Sequence, residues 1–135
     1  MGLEGNDVIN GLGGADIICG DEGADSIHSD AGNDDVRGGP GADFFLGGDQ
    51  ADEINGDDGD DDVFAGNGDD TQIFGDADTD LLAGQDNTDD LYGGEQNDSV
   101  IGGNGPSDIA RGQGGGGDEC DAEIEHTCEK NPGDP

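Results

Sequence analysis

From Gly2 to Phe64 the chain reads GLEGNDVIN, GLGGADIIC, GDEGADSIH, SDAGNDDVR, GGPGADFFL, GGDQADEIN and GDDGDDDVF, seven nonapeptides without a gap. The sixth place is always aspartate: Asp7, Asp16, Asp25, Asp34, Asp43, Asp52 and Asp61. Two residues later stands an apolar side chain: Ile9, Ile18, Ile27, Val36, Phe45, Ile54 and Val63. Self-similarity at a short fixed period is the mark of a repeat architecture. Beyond Phe64 the aspartates continue as Asp70, Asp80, Asp89, Asp98, Asp108 and Asp118, with single-residue insertions near Phe74, Pro106 and the Gly114–Gly117 run. Leu82, Leu91, Val100 and Ala110 continue the apolar series. Gln72 breaks the rule in the eighth repeat, where Ile73 is expected to take the inward place through a bulge.

The residue types carry the chemistry. Glycines at the first and fourth places are expected to supply positive φ, so that the backbone turns sharply and aims carbonyls inward. The carboxylate at the sixth place adds a hard anionic oxygen beside them. A set of hard oxygens without nitrogen or sulfur suits calcium. The last three residues of each repeat predict a short strand with its middle side chain inward. Such a strand does not fold alone, but many stacked copies bury a thin aliphatic core.

The pattern resembles the RTX (repeats-in-toxin) nonapeptide, G-G-x-G-x-D-x-U-x, from about Gly2 to Asp121. The resemblance implies an all-β fold, a right-handed parallel β-roll (a β-solenoid) with two nonapeptides per coil and calcium rows along both edges. It implies a roll of about thirteen nonapeptides over residues 1–121, followed by an acidic tail or cap over 122–135. It also implies multiple calcium ions, each held between turns n and n+2 by the Asp7-to-Asp118 series and by backbone carbonyls of the preceding turns. The chain departs from the family pattern at the fourth place, where Gln50, Asp78, Asn87 and Gln96 replace glycine. Asn and Asp adopt left-handed backbone readily, Gln less so.

Composition says why a cation is needed. Asp and Glu number 36 against three Lys and Arg, for a net charge of −33, and hydrophobic residues make up 28%. A chain of that kind, without a counterion, does not offset its conformational entropy and stays disordered. Aspartates 18 residues apart would stack at strand spacing, roughly 5 Å, and repel by about 0.8 kcal/mol per pair even at the dielectric constant of water. Asp35, Asp60, Asp62 and Asp90 add to the charge. At about tenfold excess over Kd, one bound ion contributes about 1.4 kcal/mol. The chain is therefore expected to be unfolded at intracellular calcium and folded outside the cell, secreted or at the cell surface. An anionic surface repels nucleic acid and acidic membranes alike, and no segment is apolar enough to insert in a bilayer. Residues 1–10 lack the basic and apolar regions of a signal peptide. The chain thus reads as a mature form, a fragment, or cargo for a route without an N-terminal signal.

Cys120 and Cys128 flank the acidic stretch DAEIEHT where the repeats end. A disulfide there would tie off the last coil. Two free thiols, or a zinc site with His126, are the alternatives. Cys19 falls at an outward place with no obvious partner. An EF-hand reading of Asp76-Ala77-Asp78-Thr79-Asp80 fails at Leu81, where glycine is needed, and at Asn87, where the bidentate glutamate is needed. His28 and His126 belong to no catalytic motif, so the chain is not read as an enzyme.

Alternate repeats should share a sheet. One sheet's ninth places then read Asn10, His28, Leu46, Phe64, Ala83 and Ile101, with Phe44 and Leu81 among its seventh places. Phe44, Leu46, Phe64, Leu81 and Ile101 form a candidate interaction stripe. The other sheet's ninth places read Cys19, Arg37, Asn55, Ile73, Tyr92 and Arg111. The expected function is a calcium-folded extracellular structural or adhesive protein that self-associates through the stripe or end to end. The alternative is the secretion or folding module of a larger secreted hydrolase or toxin, against which the acidic tail, lacking an amphipathic helix, argues mildly.

Overall fold

The computed structural model describes residues 2–114 and 117–121. Thirteen strands run through them: β1 (Val8–Asn10), β2 (Ile17–Cys19), β3 (Ser26–Ala31), β4 (Asp35–Pro40), β5 (Phe44–Asp49), β6 (Glu53–Asp58) and β7 (Asp62–Asn67). The series continues with β8 (Ile73–Ala77), β9 (Leu81–Asp86), β10 (Asp90–Gly94), β11 (Ser99–Gly103), β12 (Ile109–Gln113) and β13 (Glu119–Asp121). The odd-numbered strands form one seven-stranded sheet in chain order, and the even-numbered ones a six-stranded sheet. Every pairing is parallel. Val8 lies opposite Ser26 and Ile18 opposite Val36, each 18 residues on. Two nonapeptides therefore make one coil, and about six coils stack into a β-solenoid.

Most strands are longer than the three residues expected. The six-residue strands, β3 to β7 and β9, run from the seventh place of one repeat through the third of the next, and β10, β11 and β12 stop at the second. Side-chain alternation along such a strand puts the sixth, eighth and first places inside the coil. Ile18, Ile27, Val36, Phe45, Ile54, Val63, Ile73, Leu82, Leu91, Val100 and Ala110 fill the eighth place as a buried file, and Ala65 joins from a first place. The insertions keep this phase. Ile54 pairs with Ile73 and Leu91 with Ala110, each 19 residues on, while Val100 pairs with Cys120, 20 on. Ile73 is inward, as the bulge predicts, and Gln72 takes up the extra residue at φ 64°. The outward column of the even sheet is thereby corrected: it carries Phe74, not Ile73, between Asn55 and Tyr92.

The backbone expectation also needs revision. The left-handed residues stand at the second and fourth places, not the first and fourth. Leu12, Asp21, Asp30, Asp57, Asp76, Gln85 and Gln113 hold the second place at φ between 70° and 82° without being glycine. Glycine at the first place serves closeness instead. A Cβ on Gly38 would stand 2.8 Å from the carbonyl oxygen of Gly56 and overlap Oδ2 of Asp43. The fourth place is tight in a different way. At Gly41 (φ 148°) a Cβ would overlap the carbonyl oxygen of Gly23 in the coil before. Where the fourth place is not glycine, φ relaxes to 80° at Gln50, 83° at Asp78 and Asn87, and 78° at Gln96.

Candidate metal centre

Every fourth-to-sixth-place turn delivers its aspartate to the inside of the coil edge. Successive turns alternate edges, so the thirteen aspartates separate into two files. One runs Asp7, Asp25, Asp43, Asp61, Asp80, Asp98, Asp118, and the other Asp16, Asp34, Asp52, Asp70, Asp89, Asp108. Within a file each main-chain N–H donates to Oδ1 of the next aspartate, at 2.7–3.1 Å. Both files are continuous through Gln50 and Gln96: Asp52 and Asp98 each accept and donate like their neighbours. Asp25 through Asp108 are buried.

The second carboxylate oxygen is treated differently. Oδ2 of Asp16, Asp25, Asp34, Asp43, Asp52, Asp61, Asp70, Asp80, Asp89, Asp98 and Asp118 is buried with no hydrogen-bond partner. Oδ2 of Asp7 and Asp108 accept instead from the N–H of Leu3 (2.9 Å) and Gly105 (3.1 Å). An ionised oxygen buried without a donor or a cation is costly. Burial accordingly pushes the carboxyls of Asp52, Asp61, Asp80 and Asp89 up to about 7 and those of Asp43, Asp70 and Asp98 up to about 6. The N–H bond from the preceding aspartate opposes the rise in each case. Like charge adds to it; for Asp61 the contributors are Asp43, Asp80 and Asp57.

These oxygens fit a hard cation. No three His, Cys, Asp or Glu side chains converge among the described residues. A bound ion would therefore take no more than two of these carboxylates together with main-chain carbonyls. Such carbonyls are at hand: that of Gly56 borders Oδ2 of Asp43 across the missing Cβ of Gly38, and that of Gly93 borders Oδ2 of Asp80 across Gly75. The donor set is all oxygen, the chemistry of calcium rather than zinc.

The remaining candidate residues lie elsewhere. Asp35, Asp60 and Asp62 are exposed, and Asp90 is bonded to Arg111 (2.6 Å) and to the hydroxyl of Tyr92 (2.9 Å). Cys120 packs against the core and is disulfide-bonded; Cys128 and His126 lie outside the described residues, as does the tail over 122–135. Cys19 is a free thiol. On the odd sheet, Asn10, His28, Leu46, Phe64, Ala83 and Ile101 align in one column. Phe44 lies 5.7 Å from Phe64 and 6.4 Å from His28, ring centre to ring centre. Leu46 and Ile101 are exposed, while Phe44, Phe64 and Leu81 are half-buried, and Asp62 interrupts the seventh-place column between Phe44 and Leu81. Sequence reasoning missed the even sheet's ladder, in which Phe74 stacks on Tyr92 at 4.8 Å and Arg111 lies 4.7 Å over the Tyr92 ring.

A parallel solenoid lined by two files of half-satisfied aspartates defines a calcium-binding repeat protein. The family model of the RTX calcium-binding nonapeptide repeat matches the chain in four copies, over residues 1–36, 20–45, 37–72 and 74–109. The chain belongs to that family, whose repeats bind calcium and form a structural domain rather than an enzyme. Neither the curated proteins nor the solved structures yielded a match. No described helix is long and apolar enough to cross a membrane.

Proposed function

We propose that this chain is an extracellular structural or adhesive protein that folds when it binds calcium through the Asp7-to-Asp118 files and then self-associates. The observation that carries the reading is the set of buried, unpartnered Oδ2 atoms. Without a cation, the fold confines like charges one coil apart and leaves them dehydrated. With one, the same oxygens become ligands, so the free energy of binding is free energy of folding. Extracellular calcium modules have Kd values of about 10⁻⁴–10⁻³ M, far above intracellular calcium and near its extracellular level. RTX repeats are typical of secreted proteins, in keeping with that range. The stripe of Phe44, Leu46, Phe64, Leu81 and Ile101 supplies an apolar face for contact between copies, and the reading needs no catalytic residue. Far-UV circular dichroism during a calcium titration from chelator, with magnesium as control, tests it. A cooperative, chelator-reversible gain of β signal with calcium alone is expected. A β signal already complete in chelator would overturn the reading.

A further inference from the structure

Arg37 and Arg111, the two described arginines, both stand on the outward face of the even sheet. Its ninth-place column reads Cys19, Arg37, Asn55, Phe74, Tyr92 and Arg111. Phe74 and Tyr92 lie face to face in that column, 4.8 Å apart and 21° from parallel. The two ends of this aromatic stack differ. At the Tyr92 end the Arg111 guanidinium lies 4.7 Å over the ring, and its Nη1 donates to Oδ1 of Asp90, 2.6 Å away. The Tyr92 hydroxyl donates to the other oxygen of Asp90 at 2.9 Å. A cation is thus held between an aromatic face and a seventh-place carboxylate.

At the Phe74 end, no described cation covers the ring. Its neighbour in the column is Asn55, and a hollow of about 250 Å³ opens there over β4 and β6. Asp35, Arg37, Glu53, Asn55, Gln72 and Phe74 line it. Gln72 Nε2 donates to Oε1 of Glu53 at 3.0 Å, which leaves the second oxygen of Glu53 without a hydrogen bond among the described residues. Asp35 stands opposite Glu53, one coil back. Arg37 is drawn the other way, its Nε 3.6 Å from Oδ2 of Asp57 in the second-place column. Acids therefore outnumber the cation around the hollow.

We propose that this hollow binds an arginine side chain from a basic peptide segment of a partner protein. The guanidinium would lie on the free face of Phe74, as that of Arg111 lies on Tyr92, and pair with Oε2 of Glu53, as Arg111 pairs with Asp90. A guanidinium is planar and stacks and pairs at once, whereas an ammonium is a point charge. The net charge of −33 selects the same partner, because it repels anions and draws cations from a distance. The site needs only the folded roll, whatever brings folding about, and lies on the opposite sheet from the apolar stripe.

Heteronuclear NMR of the full chain tests it, in calcium at which circular dichroism shows the β signal complete and in salt of about 0.15 M to screen long-range attraction. The probe is acetyl-Gly-Arg-Gly-amide; its citrulline analogue, of the same shape but uncharged, is the control. With arginine, the side-chain amide signals of Asn55 and Gln72 are expected to shift and saturate; with citrulline they should not. Phe74→Leu and, separately, Glu53→Gln should each raise Kd about fivefold. Asp62→Asn, on the odd sheet, should leave Kd unchanged. Equal binding of the citrulline peptide overturns the inference, as does the lack of any saturable shift at Asn55 and Gln72. Equal weakening by Asp62→Asn overturns it too, since that would mean diffuse attraction to a polyanion.

Discussion

The main-chain N–H of Asp43 donates to Oδ1 of Asp61, 2.7 Å away and one coil on, while the second oxygen of Asp61 is buried with no partner. One carboxylate thus has two tasks. Its first oxygen ties coil to coil, and its second is held ready for a cation. Asp61→Asn keeps the first oxygen and replaces the second with an amide. In chelator the substitution is expected to stabilise the fold, because it removes a buried like charge. In calcium at about ten times Kd it is expected to cost about 1.4 kcal/mol, the contribution of one site. Paired urea titrations with chelator and with calcium would show the reversal of sign. Destabilisation in both would mean that Oδ2 is structural and not a ligand.

The raised carboxyls predict opposite pH responses with and without calcium. Asp52, Asp61, Asp80 and Asp89 titrate at about 7 in the fold against an ordinary value of 3.8. Between those values the folded chain holds more protons than the unfolded one, so stability falls as pH rises. In chelator, β signal should grow as pH is lowered from 8 toward 5. In calcium, protons compete with the ion for the same oxygens, so the calcium midpoint should rise over that window. Circular dichroism at fixed low calcium between pH 5 and 8 measures both.

Gly5 and Gly41 share the fourth place and differ in crowding. A Cβ on Gly5 (φ 116°) meets nothing within 4 Å, whereas one on Gly41 (φ 148°) overlaps the carbonyl oxygen of Gly23. Gly5→Ala should cost about 1–2 kcal/mol of backbone strain. Gly41→Ala should cost more than that, since the coil spacing itself must give. Thermal midpoints in saturating calcium would rank the two, and equal losses would refute the steric account.

Leu82 is fully buried in the aliphatic file and packs in register between Val63 and Val100. Leu82→Ala should cost about 2–5 kcal/mol. Because folding and calcium binding are coupled in the proposed reading, the calcium midpoint should move up as well. Urea unfolding in calcium, followed with the slope m held in view, gives the first quantity and a titration gives the second.

Much of this was legible before any coordinates, because the spacing of aspartate to aliphatic residue is two and the period nine. The spacing puts Asp25 and Ile27 inside the same coil, and the resemblance, which implies two nonapeptides per coil, puts Asp43 one coil on from Asp25. The left-handed second place was only partly legible: Gly39, Gly48, Asp21 and Asp30 hold it and take positive φ readily, whereas Leu12 and Gln85 hold it without any such signal. The inward turn of Ile73 could be read, yet placing Phe74 beside Tyr92 required knowing that one inserted residue, Gln72, is absorbed within the same repeat. The bond from an aspartate N–H to Oδ1 could not be read at all, since every residue carries a main-chain donor and the sequence does not say where it points. Of the candidate stripe, the columns were legible and the burial was not: Phe44 and Phe64 cover one another.

The two aspartate files give the molecule the character of a polyelectrolyte rod. At strand spacing of about 4.8 Å, two files place a carboxylate about every 2.4 Å of axis, against one charge per about 1.7 Å for duplex DNA. A rod of that charge density gathers a sheath of monovalent ions, and each calcium that enters must displace part of it. The calcium midpoint should therefore climb with sodium chloride along a straight line in logarithmic coordinates, and its slope counts the ions released. Such a protein reads not only how much calcium surrounds it but also how salty that surrounding is.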